Sequence, residues 1–152
     1  MIARGRIGGD SPPKWPHRTG ASHRSTAVQD FKKLKVWSKA HSFVLDVYGA
    51  TKAFPSIERY GLTAQLRKSA VSIPSNLAEG CGRGSTGAFA SFVQIASGSA
   101  CEAEYQLLLS RDLGYLEQDE HARLSEQVAH LERMLTSLNR TLALKTAVRG
   151  RG

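Results

Sequence analysis

Between Leu124 and Leu142 the chain repeats a single rhythm. Leu124, Val128, Leu131, Leu135, Leu138 and Leu142 follow one another at spacings of four, three, four, three and four. That pattern lays six aliphatic side chains along one stripe of an α-helix and predicts a helix from about Asp119 to Leu144. A stripe of this kind needs other apolar stripes to bury it. The chain supplies three more. Val36, Ala40, Phe43, Val47, Ala50 and Phe54 predict a helix from Phe31 or Leu34 to Ala53, its stripe widened by Trp37, Val44 and Tyr48. Leu62, Leu66, Ala70, Ile73 and Leu77 predict a second, from Ile57 or Tyr60 to Glu79. Phe89, Val93, Ala96, Ala100, Ala103 and Leu107 predict a third, reaching Leu113 and flanked by Phe92, Tyr105 and Leu108. Four amphipathic helices joined by short connections predict an all-α fold, an antiparallel up-down four-helix bundle.

The breaks between stripes carry their own chemistry. Pro55 ends the first helix, and Ser56 is placed to cap the second. Pro74 lies inside the second stripe, where it removes a backbone donor and predicts a kink near Ala70 to Ile73. Gly80, Gly82 and Gly84 end that helix, Ser85 is placed to cap the third, and Gly114 stops it. The middle of the third helix, Ala96-Ser-Gly-Ser-Ala-Cys101, is nearly all small residues and predicts a close helix crossing. Gly98 at mid-helix costs about 1 kcal/mol relative to Ala, which close packing there is expected to offset.

A chain of 152 residues, 41% hydrophobic, suits one domain with a substantial core. No apolar run is long enough to span a membrane, and Met1 to Thr26 lacks the apolar centre of a secretory signal. Two cysteines, Cys81 and Cys101, make no disulfide framework, so reduced thiols and a cytoplasmic location are expected. Residues 1–30 are rich in Gly, Pro, Ser, His and Arg without any apolar period. They read as a disordered basic arm, or as the product of a mis-assigned start codon. The bundle is assigned to residues 31–144 and a basic disordered tail to 145–152.

The formal charge of +8 suggests an anionic partner and is unevenly spread. Residues 31–83 hold nine Lys and Arg against Asp46, Glu58 and Glu79, whereas residues 84–144 hold four Arg against eight acids. A basic first half and an acidic second half suit an anionic ligand on one face or head-to-tail contact between subunits. Phe31-Lys-Lys-Leu-Lys-Val-Trp-Ser-Lys39 is the strongest basic cluster: Lys32, Lys35 and Lys39 share a helix face, with Lys33 beside it. Arg59, Arg67 and Lys68 add basic positions on the second helix. Nucleic acid bound there would be held through phosphates, with low sequence specificity and strong salt dependence. The competing reading is an ordinary solvated face.

Enzyme chemistry finds little support. A di-iron bundle needs Glu-x-x-His on two helices, and the chain has none. Glu126 and His130 sit four apart, an arrangement typical of a surface contact. Gly80-Cys-Gly-Arg-Gly-Ser-Thr-Gly87 lacks the Walker lysine and follows a helix instead of a strand, so it reads as a turn. Arg83 beside a helix start remains a candidate anion contact. Neither a catalytic residue, a metal nor a cofactor is expected.

Leu34-Lys-Val-Trp37, Thr51-Lys-Ala-Phe-Pro55, Glu58-Arg-Tyr-Gly-Leu62, Gln65-Leu-Arg67 and Ala70-Val-Ser-Ile-Pro-Ser-Asn-Leu-Ala-Glu-Gly80 form an ordered series. Gly82-Arg83, Ser85, Ile95-Ala-Ser-Gly-Ser99, Glu102-Ala-Glu104 and Leu113-Gly-Tyr-Leu116 continue it. The series, spanning residues 31–142, strongly resembles the bacterial four-helix-bundle family encoded in intervening sequences of large-subunit rRNA genes. That family includes the accessory variability protein of diversity-generating retroelements. The resemblance implies a ring-like homopentamer and, for the retroelement members, a basic surface that binds nucleic acid and a reverse transcriptase. Two departures stand out. Ala88 occupies the position where the family often carries an acid completing a capping box, and the N-terminal arm has no family counterpart. The combined expectation is a non-enzymatic oligomeric scaffold binding RNA or DNA, with a structural adaptor for a protein partner as the alternative.

Overall fold

The computed structural model describes residues 29–150, and the arm read over residues 1–30 lies outside them except for its last two positions. The described residues form four α-helices and no strand: α1 (Lys35–Ala50), α2 (Leu62–Cys81), α3 (Thr86–Asp112) and α4 (Gln118–Arg149). Short 3-10 turns at Phe31–Lys33, Thr51–Ala53 and Ser56–Glu58 fill the approaches to α1 and α2. Each helix packs on its neighbours in the chain, and α4 closes back on α1. Paired residues run in opposite senses along each seam. Ser72 meets Ser99 while Gly80 lies against Phe89, and Asp46 meets Arg123 while Leu34 lies near Thr141.

The four predicted stripes meet at the centre. Phe43, Ile73, Leu77, Phe89, Val93, Leu107, Leu124 and Leu135 are all closed to solvent. Truncating any of the buried leucines to Ala costs about 2–5 kcal/mol, so these positions carry most of the fold's stability. Three residues read as widening the stripes face outward instead: Tyr48 is 42% exposed, Tyr105 61% and Leu108 39%. Their spacing permits burial, but the two neighbouring helices on either side already fill the core, leaving these positions on the outer flank.

The helix ends and crossings depart from the sequence reading in three places. Ser56 does not cap α2; it opens a 3-10 turn, and α2 begins six residues later after Gly61, which has no capping side chain. Glu58 takes over the role: its carboxylate accepts from the Leu62 N–H at 2.9 Å and from the Tyr115 hydroxyl at 3.3 Å. A negative charge there also faces the positive end of the α2 dipole. At the other terminus, residues 145–149 are helical, not a disordered tail. Leu144, Lys145, Ala147 and Arg149 are helix-compatible, and nothing breaks the pattern before Gly150. Third, the small-residue segment of α3 does not place Gly98 at a crossing. Ala96 and Ala100 are buried, but Gly98 faces outward, and a methyl group added to it would meet nothing within 4 Å. The segment meets α2 through Ser99 instead, whose hydroxyl lies 2.8 Å from that of Ser72, and a second close approach occurs at Gly80, where a Cβ would lie 2.8 Å from both Phe89 and Phe92.

Other signals fall where the residues place them. Ser85 caps α3 by accepting from the Ala88 N–H at 3.2 Å. Gly114, at φ +76°, closes α3: the Tyr115 N–H donates to the Ser110 carbonyl and the Gly114 N–H to the Arg111 carbonyl. That pair of bonds satisfies two carbonyls left over at the helix end. Pro74 is buried inside α2, and the helix continues past it to Cys81.

Candidate nucleic-acid interface

The eight basic residues singled out by the sequence separate into two groups at opposite ends of the bundle, and Arg83, in the turn after α2, lies at the end where α1 begins. Lys32 and Lys33 lie in the 3-10 turn before α1, held by Asp30, which accepts from the Lys32 N–H at 3.0 Å. Lys35 and Lys39 occupy the first turns of α1, and all four lysines are exposed. Arg59, Arg67 and Lys68 belong to the other end, where Arg67 lies against Tyr48 in the last turn of α1 and Thr51 just after it. No single face holds both groups.

Arg83 is tied down locally. Its guanidinium pairs with Glu79 and lies over the Phe92 ring, 5.1 Å from the centroid. The Gly80–Gly87 segment is thereby a turn braced by its own side chains, and Arg83 is only half available to an anion. Cys81 is buried within the same turn, and burial pushes its thiol pKa upward, away from the reactive thiolate.

The lysine end gains members that the sequence reading missed. A shallow groove between the start of α1 and the second half of α4 is lined by Leu34, His130, Arg133, Met134 and Thr141. Arg133 and Arg140 border a neighbouring depression on α4, and Lys145 and Arg149 follow in the last turns of the same helix. The acids of the second half all lie between Glu102 and Glu132, so the last turns of α4 carry only basic charge. The signal was available in principle, because alternating helix direction returns the end of α4 to the start of α1.

The opposite end is more nearly balanced. Asp46 on α1 accepts from Gln127 at 2.7 Å and from Arg123 at 2.9 Å, and Arg123 also donates to Glu120. The Gln127 hydrogen bond, seconded by Arg123, holds the Asp46 carboxyl below the usual carboxylate range. Within this end Arg67 is distinctive. Its Nε donates to the Thr51 hydroxyl at 2.8 Å, and its guanidinium lies 4.6 Å from the Tyr48 ring centroid. Among the described residues no carboxylate pairs with Lys32, Lys33, Lys35, Lys39, Lys52, Arg59, Arg67 or Lys68.

Among the described residues, no group of three or more His, Cys, Asp or Glu side chains is placed to hold a metal. No helix among them is long and apolar enough to cross a membrane. Glu126 pairs with Arg133, seven positions further along α4 and three beyond His130.

The fold has a counterpart in a solved structure. A protein of unknown function from the S23 ribosomal protein family of Bacteroides thetaiotaomicron superposes with a TM-score of 0.64 and 22% sequence identity. The match covers 68% of this chain and 97% of that one. At that identity the likeness shows the four-helix architecture. No curated protein matches the chain. The model of the 23S rRNA-intervening sequence protein family matches residues 32–137, from the first lysines of the basic turn through most of α4. The chain belongs to the 23S rRNA-intervening sequence protein family.

Proposed function

We propose that the protein is a non-enzymatic oligomeric scaffold, a ring of five bundles, that binds RNA or DNA through phosphate contacts. The observation that supports this most directly is the lysine end. Lys32, Lys33, Lys35 and Lys39 stand exposed on one turn and the helix it leads into, none of them in an ion pair among the described residues. Unpaired cations at this density attract a polyanion and release its counterions, a term that carries no sequence information. His130, Arg133 and Arg140 on α4 border the same end and widen the surface. Oligomerisation is supported by apolar side chains left in solvent on the outer flanks, including Leu45 at 59% exposure and Tyr105 at 61%. A cytoplasmic setting accords with two free thiols.

The test is the salt dependence of binding to a short RNA duplex and a single strand. Affinity should fall steeply between about 50 mM and 200 mM salt, and Lys35→Gln with Lys39→Gln should reduce the log–log slope by about 2. Binding that ignores salt, or a double variant with the parental slope, excludes this surface. The adaptor reading gains if a protein partner is captured after nuclease treatment while RNA and DNA are not bound.

A further inference from the structure

At the end of the bundle opposite the lysines, the chain from Thr51 to Arg67 folds around a depression of about 420 Å³. A volume of this size lies within the range of small-molecule sites, about 300–1,000 Å³. Its lining includes Lys52, Ser56, Arg59, Thr63 and Arg67, and no acidic residue. We infer that this depression binds a phosphate group, free or as a monoester, with Arg67 as its fixed anchor and Arg59 and Lys52 as flanking cations.

Arg67 carries the argument. A guanidinium is a planar fork of five N–H donors. Here one donor, Nε–H, is spent on Thr51, whose hydroxyl itself donates to the Val47 carbonyl at 2.8 Å. The ring of Tyr48 supports one face of the plane. The fork is thus held in position by α1, and no acceptor among the described residues takes its Nη donors. A half-buried arginine is ordinarily given a carboxylate, because an unpaired buried charge is costly. One that is braced and left unpaired is preorganised for bidentate contact with a tetrahedral oxyanion.

A second, independent observation lies one turn earlier. Thr63 is more than nine-tenths buried, and its hydroxyl has no hydrogen-bond partner. A helical threonine commonly satisfies its hydroxyl on a carbonyl one turn back. Buried polar groups left unpaired are rare enough in folded proteins to call for an explanation. Thr63 lines the same depression as Arg67, and a small rotation of its side chain brings the closed-off hydroxyl to a bound phosphate or the water it carries. The nearby carboxylate, Glu58, does not compete: it is engaged by the Leu62 N–H and the Tyr115 hydroxyl.

The chemistry selects a doubly charged tetrahedral anion. Phosphate monoesters take up their second charge above a pKa of about 6 and inorganic phosphate somewhat higher, so three cations favour both near neutral pH over singly charged anions. An adjoining depression shares Arg59, Thr63 and Arg67 and is bordered by the rings of Tyr48 and Tyr60. A planar body attached to the phosphate has an aromatic surface to rest on there.

The test titrates the full chain with inorganic phosphate and, separately, with a nucleoside 5′-monophosphate, following backbone amides and the Arg67 Nε–H by nitrogen–proton NMR. Saturable shifts are expected at Arg67 and Thr63. Arg67→Lys keeps the charge but loses the fork, and should weaken binding roughly tenfold or more. Arg59→Gln changes a side chain outside the core, leaves the fold intact, and should weaken binding as well. Tighter binding of the nucleotide, lost in Tyr60→Ala, assigns the site to phosphate monoesters; equal affinities assign it to free phosphate. The inference is overturned if neither ligand saturates, or if Arg67→Lys and Arg59→Gln both bind as the parent does. Lys35→Gln with Lys39→Gln should leave phosphate binding unchanged, so failure here and failure of the polynucleotide surface are read separately.

Discussion

Two glycines in helical positions illustrate how differently one residue type is used. Gly80 sits where α2 and α3 touch, and a methyl group there meets Phe89 and Phe92 at 2.8 Å. Gly98 faces outward with open space beside it. Gly80→Ala should therefore destabilise the bundle by about 1–3 kcal/mol, despite the better helix propensity of alanine. Gly98→Ala should stabilise the isolated chain by about 0.5–1 kcal/mol. Urea denaturation of both variants checks the pair, and the same sign for both contradicts the assignment. The sequence points to a close crossing over Ala96–Cys101, and Ser99 of that segment meets α2, whereas Gly98 does not. Which side of a helix meets a partner depends on the angular position of one residue relative to the core, and within a run of small residues periodicity does not register it. Glu58 is hidden for a related reason: its capping reach depends on a 3-10 turn that local sequence does not announce.

At the level of helices, legibility is high where apolar residues are large. The stripes on α1, α2 and α3 are buried as spaced, from Val36 to Val47, Leu62 to Leu77 and Phe89 to Leu107, and that on α4 from Leu124 to Leu142 with Leu138 only half-buried. Tyr48, Tyr105 and Leu108 escape the spacing rule because flank positions are filled or left open according to neighbours, which a single helix does not reveal. Polar ties between helices are equally invisible to periodicity. The Asp46–Arg123–Glu120 group with Gln127 fastens α1 to α4. Asp46 and Glu120 both have lowered pKa values, the first mainly through Gln127 and then Arg123, the second mainly through Arg123. A depressed carboxylate stabilises the fold above its unfolded pKa, about 4, and that stability is lost as pH falls through the lower folded value. All three charged groups are over a third exposed, so the contribution is modest, about 0.2–1 kcal/mol after solvent screening. Thermal melts from neutral pH down to the carboxylate range should show the parent losing more stability than Arg123→Gln. Parallel pH curves for the two proteins dismiss the tie.

For the whole molecule, the class of fold is legible in the sequence and the arrangement of charge is not. Summing charge along the chain suggests a basic half and an acidic half. The helices instead fold that linear pattern back on itself, so the start of α1 and Arg140 share one end while Asp46, Glu120 and Arg123 lie towards the other. A ring of five chains should appear in sedimentation as a species of five times the 16.5 kDa chain mass, independent of added nuclease. A single-chain mass at micromolar concentration removes the ring. The uneven distribution has a further consequence for encounters in solution. A body whose positive charge gathers at one end is an electric dipole as well as a cation, and it rotates in the field of an approaching polyanion before contact. Collisions are thereby pre-aligned, the lysine end arrives first, and added salt slows association by erasing the torque as well as the pull.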